Sequence, residues 1–212
     1  PEVRQARADM LAHPQVQALV AEAAWPGYAF QRHNDARHPI YKLSTLADFG
    51  VRASDAGMPE ITAAVMERQA PQGAFLSLVN IPKAFGGTGE DAWTWMVCDT
   101  PTLLYALLAF GLGERPNVQR AVTHLASLAT ENGGGCTVAP ELGKFRGPGR
   151  RGDPCPIANV YALKALAQVP EFLDSPAAHA GTEMLLRHWE LRGQQKYYLF
   201  GMGSDFCKLK YP

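Results

Sequence analysis

The chain has 212 residues, its 20 acidic and 20 basic side chains balance to a formal net charge of zero, and 47% of its residues are apolar. That length suits one domain, or one compact repeat array, large enough to bury a core. The even charge argues against nucleic-acid binding through a basic face, and no apolar run in the sequence is long enough to span a membrane.

The pattern of apolar residues predicts seven helices and no sheet. Residues 10–24 form the first, with Val16, Leu19, Val20 and Ala23 on one face, and the Trp25-Pro26-Gly27 turn ends it. A polar link leads to a second helix over 40–49, with Leu43, Leu46 and Phe49 inward and Gly50 as its stop. The third covers 59–69 and carries Ile61, Ala64, Val65 and Met66. It runs into the turn QAPQGAF, an extended piece and the glycine-rich loop AFGGTGED. The fourth lies within Trp93–Leu112, where Asp99 is placed to cap it, Pro101 sits just inside and Gly111 stops it. The fifth spans 116–130, the sixth 156–168 and the seventh 177–192. The irregular segment CTVAPELGKFRGPGRRGDPC separates the fifth from the sixth.

These helices repeat as pairs. PQVQALV at 14–20, PEITAAV at 59–65 and PNVQRAV at 116–122 place apolar residues alike, as do LADFGV at 46–51 and LLAFGL at 107–112. The units recur roughly 60 residues apart, and helix pairs that cannot bury their faces alone must stack on neighbours. The first helix of each pair is apolar on most sides and the second is amphipathic, which suits an inner and an outer layer.

The turn from Gln69 through Gly73 to Phe75 is similar to the Q-x-x-x-G-x-W motif of the terpenoid cyclases and protein prenyltransferases, with Phe in the Trp place. A second copy, from Glu131 through Gly133, Gly134 and Gly135 to Cys136, keeps the glycines without the Gln or the Trp. The resemblance implies an all-α fold, an α/α toroid, partial or complete, of repeated helix pairs in inner and outer layers. It covers residues 1–212 as a single domain. Because the chain begins without Met and ends in KLKYP, the expectation is a piece truncated at one or both ends. In this superfamily the starts of the inner helices face a central cavity that carries the chemistry. Two family motifs are missing: the DxDD acid of the squalene–hopene cyclases, and the Asp-x-Cys zinc pair, since Cys98-Asp99 has those residues in another order.

Three constellations are candidates for chemistry. If the second, fourth and sixth helices are equivalent inner helices, their starts bring His38, Cys98, Asp99 and Cys155 to one mouth, within reach of Cys136. Cys, His and Asp are zinc ligands, and helix N-termini lower thiol pKa values, so Cys98, Asp99 and Cys155 are the catalytic candidates. Zinc is the expected cofactor. The bland alternative makes both cysteines small core residues, Asp99 a cap and His38 a solvated residue before Pro39. The second constellation is the loop around Lys144, Arg146, Arg150 and Arg151, whose guanidinium forks suit an anionic head group, or which is simply a solvated loop. The third is aromatic. Tyr105 and Tyr161 are the best placed of Trp25, Trp93, Trp95, Tyr105, Tyr161 and Trp189 to line a cavity for an isoprenoid chain, and ordinary core packing is the alternative.

The four cysteines, Cys98, Cys136, Cys155 and Cys207, lack a CxxC pair, and no basic start with an apolar signal region precedes them. Thiols or a dispersed metal site are therefore expected over disulfides, in a cytoplasmic protein. Two functions follow: a zinc-dependent enzyme of the prenyltransferase or cyclase type acting on an isoprenoid or other hydrophobic molecule, or a non-catalytic scaffold for a lipid-like ligand or a protein partner.

Overall fold

Each of the eight α-helices except the first begins at or just before a proline, and that regularity sets the chain into pairs. The computed structural model describes residues 2–31, 35–131, 133–142, 145, 153–191 and 194. Within them the chain is mostly helical: α1 (Glu2–Ala12), α2 (Pro14–Glu22), α3 (Pro39–Asp48), α4 (Met58–Glu67), α5 (Thr100–Leu107), α6 (Pro116–Ser127), α7 (Pro156–Leu166) and α8 (Pro176–Glu190).

The expected helix over 10–24 is two helices. Pro14 has no N–H to give to the preceding turn and its ring excludes the carbonyl there, so the chain breaks at His13 and restarts. His13 caps the new start by accepting from the backbone N–H of Gln15 at 3.3 Å. The remaining six expected helices are present with ends shifted by one to three residues.

The expectation of no sheet is corrected. Strand β1 (Ser77–Asn80) pairs antiparallel with β2 (Asp91–Thr94), Ser77 opposite Thr94, and Phe30 adds a parallel bridge to Val79. A smaller pair joins β3 (Ala129–Thr130) to β4 (Gly133–Gly134). Neither pair shows an apolar alternation in sequence, because only Ser77 and Val79 of β1 turn fully inward and one of those is polar.

Burial reproduces the repeat. α4 buries Met58, Ile61, Thr62 and Val65, one helical stripe, and α6 buries Val118, Ala121, Val122 and Leu125, the same stripe sixty residues on. α5 is buried at every position from Thr100 to Leu107. It lies between α3 and α7 and packs on both. Against this row stand α2 on α3, α6 on α5 and α7, and α8 on α7. α7 is less enclosed, and Val160 is 48% exposed. Gly111, at φ 86°, lies in a π-helical turn (Leu108–Leu112) after α5 and reverses the chain into α6.

Candidate functional site

Two turns carry the glycine motifs. In the first, the Gln69 amide donates to the carbonyls of Gly73 (2.8 Å) and Asn117 (2.6 Å), and its oxygen accepts from Arg120. Gly73 sits at φ +117°, where a Cβ would come within 2.6 Å of the Arg120 carbonyl oxygen. The turn thus docks on the start of α6, and Phe75 enters the core with no exposed surface. The motif's role here is to fasten the turn after α4 to the start of α6.

The second turn leads somewhere else. From β4 the chain runs on through residues 135–139 between two other extended pieces. On one side Met96 bridges Val138, flanked by hydrogen bonds from Ala139 N–H to Trp95 O (3.0 Å) and from Val97 N–H to Thr137 O (2.9 Å). Past Met96 the chain turns, with Asp99 N–H and Thr100 N–H both donating to Met96 O (3.0 and 3.1 Å), so Cys98 lies in the turn that leads into α5. On the other side Gly135 bridges Pro154, and Cys155 N–H donates to Gly134 O at 2.9 Å. Residues 134 and 136 share a face of an extended chain, so Cys155, opposite Gly134, is a diagonal neighbour of Cys136. Cys98 and Cys155 thus lie at the starts of α5 and α7, with Cys136 on the extended segment between them. None of the three is in a disulfide.

Their electrostatics report the same proximity. Burial pushes the Cys98 thiol well above its ordinary value, and Asp99, Cys136 and Cys155 add to the shift. The expected lowering by the helix N-terminus is overturned, because desolvation and neighbouring acidic groups outweigh the dipole. Cys98 is a neutral thiol in this arrangement. Cys155 caps α7, its sulfur accepting from Ala158 N–H at 3.4 Å. Asp99 stands at the cap position of α5 but makes no side-chain cap bond, since its backbone is already helical at φ −101°, ψ −48°. The expected N-cap is thus a buried carboxyl, 2% exposed, beside the thiols.

His38 belongs to a different place. It caps α3 through Nδ1, which accepts from Ile40 N–H at 3.2 Å, while Nε2 lies 2.9 Å from the Tyr28 carbonyl. Trp25, Tyr28 and Phe30 surround the ring edge-on. With both nitrogens engaged and the ring 1% exposed, His38 is removed from the ligand set; it is neither a solvated residue nor a metal ligand in this arrangement. Arg146, Arg150 and Arg151, together with Lys144 and Cys207, lie outside the described residues.

Two groups of residues were missed in the sequence. Tyr41, on α3, is raised far above its ordinary value by burial, then by Tyr161, Asp99 and Cys98. Burial also raises Tyr161, on α7, with Cys98 and Asp99 adding. Both phenols are therefore neutral and lie near the start of α5. The other group lies further along the same helices. Lys164 reaches Asp48 at 3.0 Å and stands 4.1 Å above the Tyr105 ring, and the Tyr105 hydroxyl donates to Asp48. This cluster holds Tyr105 near pKa 12, chiefly by burial. The repeat could have exposed Tyr41 as a partner of Tyr161. The Lys164–Asp48 pair had no sequence signal, because it joins residues 116 apart.

Among the described residues, no three His, Cys, Asp or Glu side chains stand arranged to hold a metal ion. No helix among them is long and apolar enough to cross a membrane. No protein-family model, curated protein or solved structure matches the chain.

Proposed function

We propose that the chain is part of an α/α toroid of the terpenoid cyclase and prenyltransferase type, with a zinc site at the mouth formed by its inner helices. The reading is supported by the row α3–α5–α7 backed by α2, α6 and α8, and by the sixty-residue repeat of buried stripes. The observation that carries the site is the nearness of the Cys98 thiol to Asp99, Cys136 and Cys155, felt in its raised pKa, with Cys136 and Cys155 on neighbouring hydrogen-bonded segments.

The donor set fits zinc in kind: three thiols, with the Asp99 carboxyl adjacent. Among the described residues no three of these groups are arranged to hold a metal ion as they stand, and rotation about χ1 between staggered wells is the movement that would arrange them. Zinc, when bound, supplies the positive charge that keeps a coordinated thiol or water deprotonated near neutral pH. The chain's own residues do the rest. Tyr41 and Tyr161, held neutral, donate hydrogen bonds to an oxygen-bearing head group. The apolar sides of the inner helices meet an isoprenoid or other hydrophobic chain. The Arg146, Arg150 and Arg151 loop is assigned to an anionic leaving group on its composition alone.

A second reading, a non-catalytic scaffold for a lipid-like ligand or protein partner, is favoured by one observation: Cys98 is a buried neutral thiol rather than an exposed, reactive one. Metal analysis of the purified protein separates the two. The enzyme reading expects one zinc per chain, lost from Cys98→Ala and Cys155→Ala. Absence of stoichiometric metal overturns it, and metal that survives both substitutions moves the site elsewhere. Binding of a fluorescent prenyl diphosphate, with weaker binding in Tyr41→Phe, tests the head-group role.

A further inference from the structure

Asn159, on the first turn and a half of α7, is 3% exposed and has no place in the sequence motifs. Its side-chain oxygen accepts from Gly134 N–H at 2.9 Å, and its amide donates to Gly134 O at 2.8 Å and to Cys155 O at 2.7 Å. One buried amide thus closes both backbone groups of the residue opposite Cys155 and the carbonyl of Cys155 itself. The space it fills is made by missing side chains. A Cβ on Gly133 would lie 2.8 Å from its oxygen, and one on Gly181, in α8, would lie 3.3 Å from it. Gly133 also has φ +80° and would meet the Met184 Cβ at 3.1 Å. A cavity of about 20 Å³ beside Asn159 has room for about one water, so the amide has no space in which to swing away.

A buried polar group pays for its desolvation only when its bonds are made, and the Asn159 side chain makes its bonds to Gly134 and Cys155. We infer that Asn159 is the positioning residue of the thiol site, holding the glycine strand that carries Cys136 against the helix start that carries Cys155. This rests on the reading of the thiols as a site, and it explains why the second turn needs glycine at position 133. In the first turn the anchoring amide, Gln69, belongs to the turn and reaches outward to α6. In the second the amide comes from the inner helix, and the turn must shed its side chains to receive it.

The test is read first on metal-free protein. A bifunctional bromobimane, fluorescent once both arms have reacted with thiols, is applied to the full chain under native conditions and the linked peptides are mapped. The wild type gives the Cys136–Cys155 link. Asn159→Leu lowers its yield several-fold, and Asn159→Asp, which keeps the acceptor and loses both donations, gives an intermediate yield. Gln69→Ala, which loosens the other turn, leaves the yield unchanged. A wild-type yield in Asn159→Leu, or an equal fall in Gln69→Ala, overturns the inference, and Asn159→Asp decides it if the Leu variant does not fold. On cobalt-loaded protein, the thiolate-to-metal absorption band follows the site directly. Asn159→Asp weakens metal binding by about 10- to 100-fold, the usual effect of losing an outer support. Failure of the wild type to take up cobalt sinks the metal reading and leaves the crosslinking result to judge Asn159.

Discussion

The turn at 69–75 and the turn at 131–136 occupy matching places, each following an outer helix, yet they use their glycines to opposite ends. The first is self-sufficient: Gln69 satisfies the carbonyls of Gly73 and Asn117, and Phe75 delivers a large side chain to the core. The second has surrendered both the glutamine and the aromatic ring. It ends in Cys136, half-buried, and depends on Asn159 from outside for its shape. A repeat unit that stops contributing to the core is free to carry chemistry. The difference lies in where the anchoring amide comes from: from within the first turn, and from α7 for the second.

The largest expected effect is at the end of the first turn. Phe75→Ala removes a fully buried ring and should cost about 3–5 kcal/mol in urea unfolding. Metal uptake by the folded fraction should not change. Loss of metal in step with stability there would mean that the two turns are one unit.

The glycines come next. Gly73→Ala places a side chain at φ +117° and against the Arg120 backbone, and Gly133→Ala places one at φ +80° and against Asn159. Strain and crowding of this kind cost about 1–3 kcal/mol each. The partners decide the rest: the first substitution should spare thiol crosslinking and the second should reduce it. Cys136→Ala is milder still on the metal-free fold, within about 1 kcal/mol, because Cys136 is half-buried and lies outside the clusters of buried side chains. Yet it should abolish stoichiometric metal binding. A large stability loss without metal would return Cys136 to the core.

Helix existence and pairing were legible because they rest on apolar spacing, and the stripe Met58–Val65 and its copy Val118–Leu125 are local patterns. Gln69 and Gly73 were legible for the same reason. The strands were not. β1 and β2 are stabilised by pairing across the hairpin and by Phe30 from far upstream, and Asp91–Thr94 has no alternation of its own. Stacking the repeats set Cys98, Cys155 and His38 at matching helix starts, and the structure places His38 apart, at the start of α3. The register located the start of α3, whereas the ring's two hydrogen bonds, to Tyr28 and Ile40, are set by the path of the loop before it. Asn159 was invisible because its partners, Gly134 and Cys155, become neighbours only once the segment from 135 to 153 has closed.

The smallest effect sets the capped starts of α3 and α7 against each other. α3 is capped by an imidazole and α7 by a sulfur. Burial lowers the His38 pKa from 6.5, with the Tyr28 carbonyl and Asp35 opposing, so the folded protein holds the ring neutral. The unfolded chain, at its ordinary value, therefore binds the proton first as the pH falls. The cap's contribution is complete above about pH 6.5 and drains away as the pH drops through that value toward the lower folded one. Burial lowers His124 and His188 too, so the slope belongs to three residues. His38→Asn keeps a capping acceptor and removes one titration. Urea unfolding of that variant should show a shallower loss of stability between pH 7 and pH 5 than the wild type. An unchanged slope would leave the acid sensitivity to the other two histidines and place the α3 cap, like the sulfur cap of α7, outside the protonation equilibrium.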